Sequence, residues 1–204
     1  MLLTTIAKSN RLRCLALAAV SAALLNVVPA PTAIADEQDK KTIVTTNAAI
    51  EVPGKVLPPG TYVFKLLDSS SNRNIVQIFD KDEKRLYTTI LAVPDYRLQP
   101  PDKPLIQFEE RAANSPEAIK AWFYPGDQYG QQFVYPRKRA TELAKQNNGK
   151  VLSMSDDMAK HMKTQSTSAS DASVQSLQKA DVAGVDPTGA PVDLEGVIRS
   201  KPPQ

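Results

Sequence analysis

Val52-Pro-Gly-Lys-Val-Leu-Pro-Pro-Gly-Thr-Tyr-Val-Phe64 decides the fold of this chain. Two proline-glycine pairs, Pro53-Gly54 and Pro59-Gly60, bracket a short apolar segment. Proline supplies the fixed φ of the second position of a type II turn and glycine the positive φ of the third, so Pro59-Gly60 predicts a tight reversal. A strand then starts at Thr61. Tyr62, Phe64 and Leu66 alternate with Thr61, Val63 and Lys65, the period of a strand with one face in a core.

Working outward, the aromatic residues mark the extent of that core. All six tyrosines, all five phenylalanines and Trp122 lie between Tyr62 and Tyr135. Rings carry much of the buried area of a small domain, so the globular part is expected over about Lys41 to Tyr135, within a β-domain at 36–136. Ile75 to Phe79 and Arg85 to Val93 read as a hairpin joined by the charged Asp80 to Lys84. Thr42 to Thr46, Ala48 to Val52, Leu105 to Glu109, Ile119 to Tyr124 and Gln132 to Tyr135 complete a set of about eight short strands. No helical period separates them, which predicts an antiparallel β-sandwich.

Upstream, Lys8, Arg11 and Arg13 precede an apolar run from Cys14 to Val28, and Ala33-Ile34-Ala35 has small residues at the recognition positions of a cleavage site. This order predicts a secretory signal peptide over 1–35. The run is too short for a confident membrane span. Cleavage takes away the single cysteine and three basic residues, leaving 22 Lys+Arg from 25 against 22 Asp+Glu. The exported chain then has neither thiol chemistry nor the net positive charge that a nucleic-acid partner calls for. Downstream, Arg137 to Asn148 has good helix formers with Asn148-Gly149 as its stop, and Ser155 opens a second short helix. A helical extension is therefore expected over 137–163. The remainder, 164–204, is rich in serine, threonine and alanine without aromatics and predicts a disordered tail, with Val192, Leu194, Val197 and Ile198 as a small apolar cluster able to dock.

Leu57-Pro58-Pro59-Gly60-Thr61-Tyr62 resembles the L-P-x-G-x-Y segment that precedes a strand in prealbumin-like sandwich domains, including carboxypeptidase regulatory-like and collagen-adhesin B-type repeats. From Thr42 to Arg139 the succession I-E-V-P-G-K-V-L-P-P-G-T-Y-V-F, V-Q-I-F, T-I-L-A-V-P, I-Q-F-E-E, A-W-F-Y-P-G and F-V-Y-P resembles a set of exported bacterial proteins of unknown function. The resemblance implies an exported β-sandwich and no particular activity.

Candidate sites are few. His161, the one histidine, stands in a polar stretch without the fixed partners that base catalysis or metal binding requires. Glu109 and Glu110 point to opposite faces of a strand. Asp68, Asp80, Asp82 and Asp127 fall in loops at spacings that miss a calcium loop. No cofactor or metal site is expected. The aromatic group is more informative: Trp122 and Tyr124 share the face opposite Ile119, Ala121 and Phe123, and Tyr129 and Tyr135 follow. On an outer face these four rings would bind a glycan or an envelope protein. If both faces are buried, they are core. The expectation is an exported, non-enzymatic binding or structural module, periplasmic or extracellular, with an envelope hydrolase using loop carboxylates as the alternative.

Overall fold

The computed structural model describes residues 40–67, 74–110 and 115–198. The leader expected over 1–35, most of the 68–74 loop and part of the 111–117 loop lie outside the described residues. The fold is mainly β, with more strands than the eight expected.

Ten strands precede the first helix: β1 Lys41–Thr46, β2 Ile50–Val52, β3 Lys55–Leu57, β4 Gly60–Leu67, β5 Asn74–Asp80, β6 Leu86–Tyr96, β7 Leu105–Phe108, β8 Glu117–Phe123, β9 Tyr129–Phe133 and β10 Tyr135–Pro136. The first nine form one continuous sheet in the order β1-β4-β5-β6-β9-β8-β2-β3, with β7 also paired to β8. The hairpin expected around Asp80 is β5 and β6, and its turn is held by Asp80 Oδ1, which accepts from the backbone N–H groups of Lys84 at 2.8 Å and Arg85 at 3.1 Å. Pairing is antiparallel except between β2 and β8. A parallel neighbour needs a long connection, and here five strands intervene in the chain. The sheet is therefore mixed.

The corner at Pro59-Gly60 departs from the expected turn. Gly60 is not among the positive-φ residues, whereas Gly54 (φ 77°) and Gly126 (φ 80°) are. Gly60 instead opens β4, paired with Thr46, and the Tyr62 hydroxyl donates to the Pro58 carbonyl at 2.5 Å. The proline-glycine reversals of this fold are Pro53-Gly54, between β2 and β3, and Pro125-Gly126, between β8 and β9.

One face of the sheet closes on itself. Trp122 on β8 donates from Nε1 to Thr42 Oγ1 on β1 at 3.1 Å, although those strands stand far apart in the sheet order. The Phe64 ring on β4 meets Trp122 edge-on with centroids 6.1 Å apart. This inner core also holds Ile78, Ile90, Phe133 and Tyr135, and it is stoppered by Ala140, Leu143 and Ala144 of α1, Arg137–Asn147. The helix ends as its sequence predicts, at Asn148 in the left-handed conformation (φ 48°).

The outer face is covered by the rest of the chain. After α1 come β11 Val151–Met154, a 3-10 helix Asp156–Lys163, α2 Ala172–Gln178, β12 Val182–Val185, β13 Pro191–Val192 and a last 3-10 turn Leu194–Gly196. Strands β10 to β13 form a second, mixed sheet. Leu152, Met154, Met162, Val174 and Leu177 pack on Ile75, Leu91 and Val93 of the large sheet, joined by Leu194, Val197 and Ile198.

The disordered tail expected from residue 164 is thus corrected over the described residues 164–198. Its low hydrophobicity is offset by hydrogen bonding. Ser166, Ser168 and Ser170 each receive the side-chain oxygen of the residue two places earlier on their own N–H, and the Ser166 carbonyl accepts from buried Gln77 Nε2 at 2.8 Å. Asp171 then caps α2 through the Ser173 N–H at 2.8 Å.

Candidate functional site

The four rings singled out by sequence do not form a surface. Trp122 and Tyr135 are each 1% exposed and belong to the inner core, where the Tyr135 hydroxyl donates to the Ile119 carbonyl at 2.8 Å. Tyr124 is half-buried against the same core. Tyr129 alone is exposed, at 47%, and its ring lies 5.4 Å from that of Tyr96. Trp122 and Tyr135 are scaffold.

The reason lies in a bulge. Gln107 pairs with Ala121 and Phe108 with Ile119, so Lys120 is an extra residue in β8. Strict alternation would place Ile119 and Trp122 on opposite faces; both enter the inner core because the bulge resets the period. The same bulge turns Lys120 toward the outer face.

There Lys120 joins Asp95 of β6, Gln107 and Phe108 of β7 and Gln132 of β9 around a cleft of about 500 Å³, with Val197 of the C-terminal segment as one wall. The register explains the gathering. Gln107, Ala121, Gln132 and Val93 stand opposite one another across four strands, and Asp95 follows Val93 two residues on. On this outer face the apolar Leu91 and Val93 lie under the C-terminal cover, while the polar residues continue past it.

Two of these polar residues are deeply placed. Asp95 and Gln132 are each 1% exposed. Gln132 Oε1 is buried and accepts no hydrogen bond from the described residues. An orphaned buried acceptor costs about 1–3 kcal/mol, which a donor entering the cleft would return. Asp95 is the one carboxylate among the lining residues.

Nearby, Glu109 is buried and accepts from Asn147 Nδ2 at 2.7 Å. Burial pushes its carboxyl above the ordinary glutamate range, opposed by the Lys120 charge and the Asn147 hydrogen bond. Glu110 is exposed, so the two glutamates diverge as the sequence predicts. His161 sits half-buried on the 3-10 helix.

Sequence reasoning missed Asp95, Gln107, Lys120 and Gln132. Gln131-Gln132 ahead of Phe133, in a strand flanked by buried apolar residues, was the available signal of a polar position facing inward. Comparison of the chain with family models, with curated proteins and with solved structures returns no match, and the functional reading rests on this geometry.

Proposed function

We propose that the protein is an exported, non-enzymatic binding module of the cell envelope or extracellular space, and that its ligand is a glycan held in the Asp95–Gln132 cleft. The observation that carries the reading is the buried, donor-less Gln132 Oε1 beside buried Asp95. A carboxylate and two planar amides offer paired acceptors and donors that match neighbouring sugar hydroxyls. Exposed Phe108 supplies an apolar ring for the C–H face of a sugar. The leader-like stretch over 1–35 and the resemblance to exported bacterial proteins support the location. In this reading the sheet closed over its inner core serves as a sandwich-type scaffold, and the cleft is carried on its outside. A hydrolytic mechanism would need a second carboxylate facing Asp95.

The test is an NMR titration of the mature chain with soluble fragments of an N-acetylhexosamine polymer. Saturable shifts of the Gln107 and Gln132 side-chain amides are expected, absent in Gln132→Leu with its fold intact. A flat titration in the wild type would remove the glycan reading. Recovery of a chain beginning at Asp36 from the periplasm or medium tests export; retention of residues 1–35 on a cytoplasmic protein would refute it.

A further inference from the structure

At the other end of β6 a second concavity of about 480 Å³ has a different character. Thr88 lines it and Asp95 lines the polar cleft, which the rise of a strand separates by on the order of 20 Å. Its charged lining residues are Lys55 of β3, Arg85 at the end of the β5–β6 turn and Lys163 at the end of the 3-10 helix, and no carboxylate lines it.

Lys55 Nζ lies 5.1 Å and Arg85 Cζ 5.0 Å from the centroid of the Tyr87 ring, so the two cations are held no further apart than the sum of those distances. The ring is itself fixed by an edge-on contact with Tyr62, centroids 5.5 Å apart. Among the described residues none of the three cations has an ion pair, whereas Lys40, Lys41, Lys65 and Arg139 do. The 3-10 helix is seated against the Pro53-Gly54 turn, where a Cβ on Gly54 would stand 3.4 Å from Met162 Sδ, and this contact holds the helix end that carries Lys163 at the concavity Lys55 also lines. Three like charges brought from three elements into one concavity repel one another unless an anion is present. The Arg fork and two ammonium groups match the oxygens and the charge of a phosphate better than those of a single carboxylate.

We infer that Lys55, Arg85 and Lys163, which line one concavity with Tyr87, form a binding site for a phosphate group, independent of the polar cleft. The group can arrive free or on a lipid headgroup, and the two sources are separable. One arm titrates the mature chain with inorganic phosphate against chloride at matched ionic strength, following the backbone amides of Lys55, Tyr87 and Lys163 by NMR. The other measures co-sedimentation with phosphatidylcholine vesicles with and without phosphatidic acid. Saturable shifts with phosphate, or sedimentation that needs phosphatidic acid, are expected, each weakened roughly tenfold in Arg85→Gln and again in Lys163→Gln. Both side chains are exposed, and an unchanged thermal midpoint confirms that the variants fold. No saturable response in either arm, or a response that keeps its wild-type affinity in both variants, overturns the assignment.

Discussion

Arg139 of α1 and Glu51 of β2 form a two-pronged ion pair, Nε to Oε1 at 2.5 Å and Nη2 to Oε2 at 2.7 Å, which pins the helix to the sheet. Glu51 is buried while Arg139 is half-buried, and Glu142 engages Arg139 from the helix. The pairing raises the Arg139 guanidinium further above its already high range, with the Glu51 hydrogen bond as the main cause. It also resolves an apparent conflict, because a cation in the first turn of a helix opposes the dipole. The N-terminus is satisfied instead by Asp156 Oδ1, which accepts from the Lys138 N–H at 3.0 Å.

Breaking that pair leaves the Glu51 carboxylate buried without its main counter-charge. Arg139→Gln is expected to lower stability by about 3 kcal/mol, the low end of the range for a buried pair because Arg139 is partly solvated. Urea denaturation followed by circular dichroism measures it. A loss within about 0.5 kcal/mol, as for an exposed pair, would show that the fork does not pin the helix.

Trp122 is the only tryptophan, and its burial makes it a reporter of the inner core. Its emission is expected to be blue-shifted in the native protein and to move red in the same transition that abolishes far-ultraviolet dichroism. Trp122→Ala should cost about 3–5 kcal/mol through the cavity it leaves. Trp122→Phe keeps part of the packing and loses the hydrogen bond to Thr42, costing less. Native-like stability in the alanine variant would contradict the core position.

Glu109 makes stability depend on pH in a direction opposite to most carboxylates. Its folded value lies above its unfolded one, so the folded state holds the proton more tightly. Stability from this group is fully present below the unfolded value, about 4.3, and falls as pH rises through the folded value. Glu109→Gln keeps an acceptor for Asn147 and removes the titration. The stability difference, variant minus wild type, should therefore increase as pH rises through that window; a difference independent of pH would show that Glu109 titrates normally.

Two glycines are required by close approach. A Cβ on Gly130 would stand 2.4 Å from the Phe123 ring, and one on Gly184 2.4 Å from Val197 Cγ2 and 2.5 Å from Val192 Cγ2. Gly130→Ala should destabilise the whole sheet by roughly 1–3 kcal/mol or more. Gly184→Ala acts locally, dislodging the segment that carries Val197 and so opening one wall of the polar cleft. Faster amide exchange over 192–198 than in the wild type, with the β5–β6 hairpin unchanged, is the expected signature; uniform exchange throughout would refute a local effect.

Much of this architecture was written locally. Alternation placed Tyr62 and Phe64 on an inward face, and the β5–β6 turn and the α1 stop followed from the conformational limits of a few adjacent residues. The site was much less legible. Trp122 and Tyr135 carry the strongest binding signature in the composition, yet a ring that can stack on a ligand stacks equally well on Phe64. Gln107 and Gln132 looked like ordinary strand polar residues, and Asp95, which β6 carries, looked like the start of a surface loop after Val93.

The sequence by itself determined most of the segments that become strands before the first helix, where that helix ends, and which apolar residues seek a core, because each depends on neighbours within a few positions. Only the tertiary structure decided that Pro59-Gly60 enters a strand, since its conformation is set by pairing with Thr46. It alone showed that one extra residue at Lys120 reverses the faces of β8, that Gln77 anchors the serine-rich segment, and that Lys55 and Arg85 flank Tyr87 in a concavity that Lys163 also lines. Those outcomes rest on contacts between residues tens of positions apart, and no periodicity encodes them.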